Sequence, residues 1–144
     1  MTAIARLKES RFLRFAFVGG LGFLVNEAAL YFALAVLGFG KYGGGVFSFM
    51  VAVTFTWWGN RMLTFRDEAA RGGAAIAREW ATFVAANSIG LAVNYAVYAG
   101  MIALAPAPLN SPYIALAFGT VAGLAFNFVM SSRVVFRTNP VKSE

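Results

Sequence analysis

The sequence predicts an all-α, polytopic membrane protein with four transmembrane helices built as two parallel two-helix repeats. Three observations carry that expectation. Of 144 residues, 60% are hydrophobic and only 12% charged, against roughly 25% charged in a soluble domain. Four apolar stretches of near-membrane length are separated by two short turns and one polar loop. The two halves also match each other at polar as well as apolar positions. One domain, residues 1–144, fits this length, with repeat 1 over about 12–66 and repeat 2 over about 80–137.

Residues 1–14 form a basic lead-in carrying Arg6, Lys8, Arg11 and Arg14, with the character of a short interfacial helix. A secretory signal also starts basic. Here the apolar run that follows exceeds 20 residues and has no small-residue cleavage site, which predicts a retained first span. That span, Phe15 to Leu37, is 23 residues with one charge, Glu27. At ~1.5 Å per residue it is ~34 Å long, enough to cross a ~30 Å hydrocarbon core. Asn26 and Glu27 lie near its middle, and a carboxylate there costs roughly 2.5 kcal/mol or more, so it is expected to face protein or water.

The turn Gly38 to Lys41 is too short for anything but an antiparallel helical hairpin, so the second span runs from about Tyr42 to Gly59. Asn60 to Glu79 is polar, with Arg61, Arg66, Arg71 and Arg78 beside Asp67, Glu68 and Glu79, and is the one substantial loop. The third span is about Trp80 to Leu104. An uncharged turn, Ala105 to Ser111, leads to Pro112, which suits the first turn of a fourth span ending near Met130. The basic tail, Ser131 to Glu144, is expected to fray.

Eleven of the 12 Lys and Arg fall in the N-terminal segment, the middle loop and the tail, and only Lys41 lies in a hairpin turn. The positive-inside rule then places both termini and the middle loop in the cytoplasm, in the cytoplasmic (inner) membrane of a multi-pass protein. The net charge of +6 bears on orientation and anionic lipid before nucleic acid, and no nucleic-acid partner is expected.

A shift of 68 residues sets Phe15 on Phe83, Gly22 on Gly90, Asn26 on Asn94 and Ala28 on Ala96. A shift of 71 sets Phe47 on Phe118, Phe55 on Phe126, Phe65 on Phe136 and Arg66 on Arg137. Each copy has two spans, so both have the same orientation, as in a parallel repeat about an axis along the membrane normal. Small and polar residues recur on matching stripes: Gly19, Gly22 and Asn26 with Asn87, Gly90 and Asn94, and Ser48, Ala52 and Thr56 with Gly119, Gly123 and Asn127. Small residues let helices approach closely in lipid and polar ones bond across the contact, so these stripes are expected to form the interior.

These segments carry a resemblance. RFAFVGGLGFLVNEAALYF and FSFMVAVTFTWWGNRMLTF in the first half, with NSIGLAVNYAVY and LAFGTVAGLAFNFVMSSRVVF in the second, resemble the GtrA-like family of small four-span membrane proteins over about Phe12 to Arg137. The closing motifs are the most specific: Asn60-Arg61 up to Thr64-Phe65, and Asn127-Phe128 up to Arg133 and Phe136. The resemblance implies a part in cell-surface polysaccharide synthesis, by translocating (flipping) a polyprenyl-phosphate-linked sugar across the cytoplasmic membrane. Some members of the family look instead like accessory proteins for glycosyltransferases. Family members often carry Asp where this chain has Asn26. Here the acid is the next residue, Glu27, and a one-residue step turns a side chain by ~100°.

Arg61, Arg133 and Arg14, with Asn60 and Asn127 beside the closing motifs, are the candidate contacts to a lipid phosphate. A guanidinium binds phosphate through two parallel bonds, so Arg61 and Arg133 form a candidate clamp. The alternative is a pair of snorkelling anchors that fix helix depth. Asn26, Glu27 and Asn94 are the intramembrane polar candidates. Glu27 is either a substrate or proton site or a protonated acid bonded to a neighbouring helix, and the asparagines are interhelical glue or substrate contacts. Trp57, Trp58 and Trp80 fit an interfacial aromatic belt, with sugar stacking as the other use.

The chain has no cysteine and no histidine, which removes thiol chemistry, the commonest general base and the commonest metal ligand. It has no nucleophile–base pair, metal cluster or phosphate loop, so neither enzyme activity nor a cofactor is expected. Three functions compete: a flippase, for which four thin spans favour a homo-oligomer; a non-transporting subunit that recruits or stabilises a glycosyltransferase; and a proton-coupled drug exporter of the small multidrug resistance kind. The strong charge bias speaks against the last, whose members tend to insert in mixed orientation.

Overall fold

A computed structural model describes residues 10–136, apart from the side chain of Tyr113, and within them every regular element is helical. The elements are α1 (Arg11–Ala35), α2 (Lys41–Leu63), α3 (Gly73–Leu104) and α4 (Pro112–Met130), and α4 runs into a π-helical turn, Ser131–Val135. By length and composition α1, α3 and the stretch Ile114–Val135 can each cross a membrane. At 23 residues α2 is ~34 Å long as well. Its glycines, hydroxyls, tryptophans, Asn60 and Arg61 make it less apolar than the other three.

Two compact units divide the chain: one runs to Trp80 and takes in Phe136, the other is Ala81–Val135. In the first, α1 starts after Ser10, whose hydroxyl accepts the Leu13 N–H at 3.3 Å, a serine N-cap. Gly38 reverses the chain at φ +69°, a conformation that favours glycine, and the Phe39 N–H donates to the Ala33 carbonyl at 2.9 Å. The hairpin is antiparallel along its length. A Cβ at Gly59 would lie 2.8 Å from Val18, one at Gly22 2.1 Å from the Thr56 methyl, and one at Gly44 2.8 Å from Leu34. Residue numbers fall along α2 as they rise along α1. The core at the loop end is aromatic. The buried ring of Phe65 meets Phe15 edge-on at 6.3 Å and stacks on Phe136 at 4.6 Å.

In the second unit α4 starts with Pro112 in its first turn, after Ser111. A Cβ at Gly90 would meet the Asn127 amide, and one at Gly123 or Gly119 would meet Asn94. This pairing is again antiparallel.

The structure corrects three expected boundaries. The loop is 64–72 rather than Asn60 to Glu79, because α2 continues to Leu63 and α3 starts at Gly73. Ala74 to Glu79 are good helix formers, and charge there does not break a helix. Gly72, at φ +92°, marks the break instead. The tail does not fray from Ser131: Ser131 and Phe136 are buried, and the intervening turn is helical. Residues 1–9 and 137–144, with Arg6, Lys8, Arg137 and Lys142, lie outside the described residues.

Candidate functional site

The 64–72 loop is fastened to α2 and to the start of α3 through one carboxylate. Trp57 and Arg61, four residues apart, share a face of α2, and the guanidinium carbon sits 5.9 Å from the Trp57 ring centre. Both reach Glu79, which is 5% exposed: Trp57 Nε1 donates to Oε1 at 3.0 Å and Arg61 Nη1 at 2.7 Å. The Ala70 N–H donates to Oε2 at 2.6 Å, and Arg61 Nη2 donates to the Ala70 carbonyl. The ion pair lies largely out of solvent, with the Arg61 side chain 18% exposed. Every bond here is charge-assisted, the stronger kind. Beside it, Asn60 is buried and its Oδ1 accepts the Thr64 hydroxyl at 2.8 Å, while Arg11 pairs with Glu68 at 2.5 Å.

The predicted site residues fall into separate settings. Arg61 is committed to Glu79 and Ala70, so a phosphate reaching it competes with a carboxylate already in place. Asn60 faces the core. Arg14 is half-buried, and Arg133 is exposed on the π-helical turn. Asn127 lies against Gly90, and Asn94 against Gly119 and Gly123, all in the second unit. Asn26 is half-buried. Glu27 is exposed on α1 and takes no part in the ion pairs Arg11–Glu68 and Arg61–Glu79. Gly19 is not part of the close contact either, since a Cβ there meets nothing within 4 Å.

Sequence reasoning missed Glu79 as the residue on which the loop closes. It also placed Trp57 in the interfacial belt, whereas its indole N–H is used inside the unit. The available signals were the four-residue spacing of Trp57 and Arg61, and an acid directly before Trp80 where an apolar run begins. Trp80 reaches back to α2, its Nε1 donating to Thr54 Oγ1 at 3.1 Å, and Trp58 is exposed as a belt residue would be.

Long apolar helices, glycine-mediated packing and polar closure at one end define a small helical integral membrane protein. The chain matches the GtrA/DPMS transmembrane domain over residues 14–136, and it belongs to that family. The family is linked to polyprenyl-phosphate sugars, either their translocation or their synthesis. No curated protein matches the chain.

Proposed function

We propose that this protein moves a polyprenyl-phosphate-linked sugar across the cytoplasmic membrane for cell-surface polysaccharide synthesis. In this proposal it has four spans in two parallel repeats, both termini cytoplasmic and no catalytic step of its own. The observation that carries the proposal is the extent of the family match, which takes in all four helices and both closing motifs. Corresponding contacts inside each unit, Gly22 with Thr56 and Gly90 with Asn127, support the two-repeat architecture. In this reading the exposed Arg133 is the more available guanidinium for the headgroup phosphate, and Arg61 must first leave Glu79.

The test is purified protein in liposomes, assayed for transbilayer movement of a short-chain polyprenyl-phosphate sugar. Movement above protein-free liposomes is expected, and Arg133→Lys should weaken lipid binding because lysine keeps the charge and loses the fork. No movement in proteoliposomes overturns the translocase.

A second reading, a non-transporting partner of a glycosyltransferase, is favoured by one observation. Arg61 is already bonded from within the chain, to Glu79 and to the Ala70 carbonyl, as befits a brace more than a substrate contact. Under it, the protein alone moves no lipid, and co-reconstitution raises the transferase's activity or its amount.

A further inference from the structure

Among the residues that close the loop, Glu79 alone stands on α3. The three donors it accepts come from α2 and from the 64–72 loop: Trp57 Nε1 at 3.0 Å, Arg61 Nη1 at 2.7 Å and the Ala70 N–H at 2.6 Å. Two contacts hold these donors together without Glu79. Arg61 Nη2 donates to the Ala70 carbonyl, so the guanidinium grips the same residue whose N–H points at the carboxylate. Trp57 lies one helical turn before Arg61, with its ring centre 5.9 Å from the guanidinium carbon. Between Ala70 and the helix that carries Glu79 stand Gly72, at φ +92°, and Gly73, and glycine confines the backbone least. Rotation of the Glu79 side chain, or a change at this joint, takes the carboxylate away and leaves three convergent N–H donors, one of them cationic. Such a set selects an oxyanion.

We propose that Glu79 is a built-in substitute for a phosphate: it occupies an oxyanion seat made by Trp57, Arg61 and the Ala70 N–H, and a phosphoryl group displaces it there. That the phosphoryl group is the headgroup of a lipid-linked sugar rests on the function proposed above; the exchange itself needs only a phosphate. Carboxylate and phosphate both accept from a guanidinium and from backbone N–H groups, so the donors serve either anion. A phosphodiester carries one negative charge, as Glu79 does, and the exchange is charge for charge. Glu79 lowers the apparent affinity by the fraction of molecules in which it is displaced, and so keeps weakly held anions out of the seat.

Glu79→Gln removes the competing charge at nearly constant shape. Binding to the full-length protein in detergent is measured with a short-chain polyprenyl-phosphate sugar and, separately, with inorganic phosphate, and the melting temperature is recorded alongside. Binding should tighten by about tenfold, as when roughly one wild-type molecule in ten is open, while the melting temperature falls. Adding Arg61→Met should abolish the gain. A brace alone gives a weaker fold with no gain in binding. A gain with the lipid only assigns the seat to a headgroup, and a gain with inorganic phosphate assigns it to free phosphate. A gain with neither, or one that survives Arg61→Met, overturns the proposal. The wild-type chain gives a check that needs no substitution. With a water-soluble carbodiimide and an amine, read by peptide mass spectrometry, a ligand concentration that saturates binding should raise labelling of Glu79 severalfold relative to the exposed Asp67. Unchanged labelling overturns the exchange. Tighter binding by Glu79→Gln without movement in proteoliposomes keeps the exchange and removes the translocase, whereas movement without that gain removes the exchange alone.

Discussion

Three donors converge on the Glu79 carboxylate, from Trp57, Arg61 and the Ala70 backbone. Removing it strands a guanidinium, an indole N–H and an amide together. Breaking a buried ion pair by deleting one partner costs ~3–5 kcal/mol, and the partial exposure of Arg61 points to the lower end. Glu79→Ala should therefore lower thermal stability in detergent by about 3 kcal/mol. Combined with Arg61→Met, the two losses should add to clearly less than their sum, which a double-mutant cycle measures. Arg11, with its side chain 51% exposed, makes a contrasting pair with Glu68, and Arg11→Ala should change stability by less than ~1 kcal/mol in the same assay. This network was the least legible part of the sequence. Its three donors lie 9 to 22 residues from Glu79, a spacing no helical rule connects, and a polar run holding Arg, Asp and Glu looks like any solvated loop until a tertiary fold selects one acid from it.

At the scale of helices, the small-residue stripes were legible because helical spacing and internal matching point to the same positions. Where they fail, the reason is geometric. Gly19 sits ~60° round from Gly22, enough to leave the contact. Gly44 and Gly59 pack tightly but escaped notice, because their counterparts at a shift of 71 are Ala115 and Met130. A match between halves finds only what both copies keep. The close contacts give a paired prediction. A methyl at Gly119 would lie 2.6 Å from the Asn94 backbone oxygen, which cannot turn aside, so Gly119→Ala should destabilise by ~1–3 kcal/mol. At Gly100 a methyl meets nothing within 4 Å, so Gly100→Ala should be neutral or stabilise by up to ~1 kcal/mol. Equal melting temperatures for the two variants would mean that α3 and α4 do not pack through this stripe.

For the molecule as a whole, element order and turn positions were legible from apolar runs punctuated by glycine and proline. Helix ends on the charged side were not, since charge marks where a helix leaves an apolar environment and not where it stops. α3 starts seven residues before the expected Trp80 for this reason. The same charges set the expected orientation, and the fold names a better probe of it. Ala70 is half-buried with both backbone groups bonded, whereas Arg71 beside it is exposed. An Arg71→Cys variant should stay unlabelled by an impermeant maleimide in intact cells and react after the membrane is opened. Labelling from outside would reverse the topology or remove a span.

The stack of Phe136 on Phe65 has a consequence in time. The first unit is complete only when a residue made after the whole of the second unit arrives to cover the Phe65 ring. During synthesis the α1–α2 hairpin and the Glu79 closure can form early, because their partners are close in the chain. The aromatic seat on Phe65 stays open until the ribosome has finished Phe136, so premature termination just before that codon should leave a hairpin that inserts normally but is cleared faster by membrane proteases than the full chain.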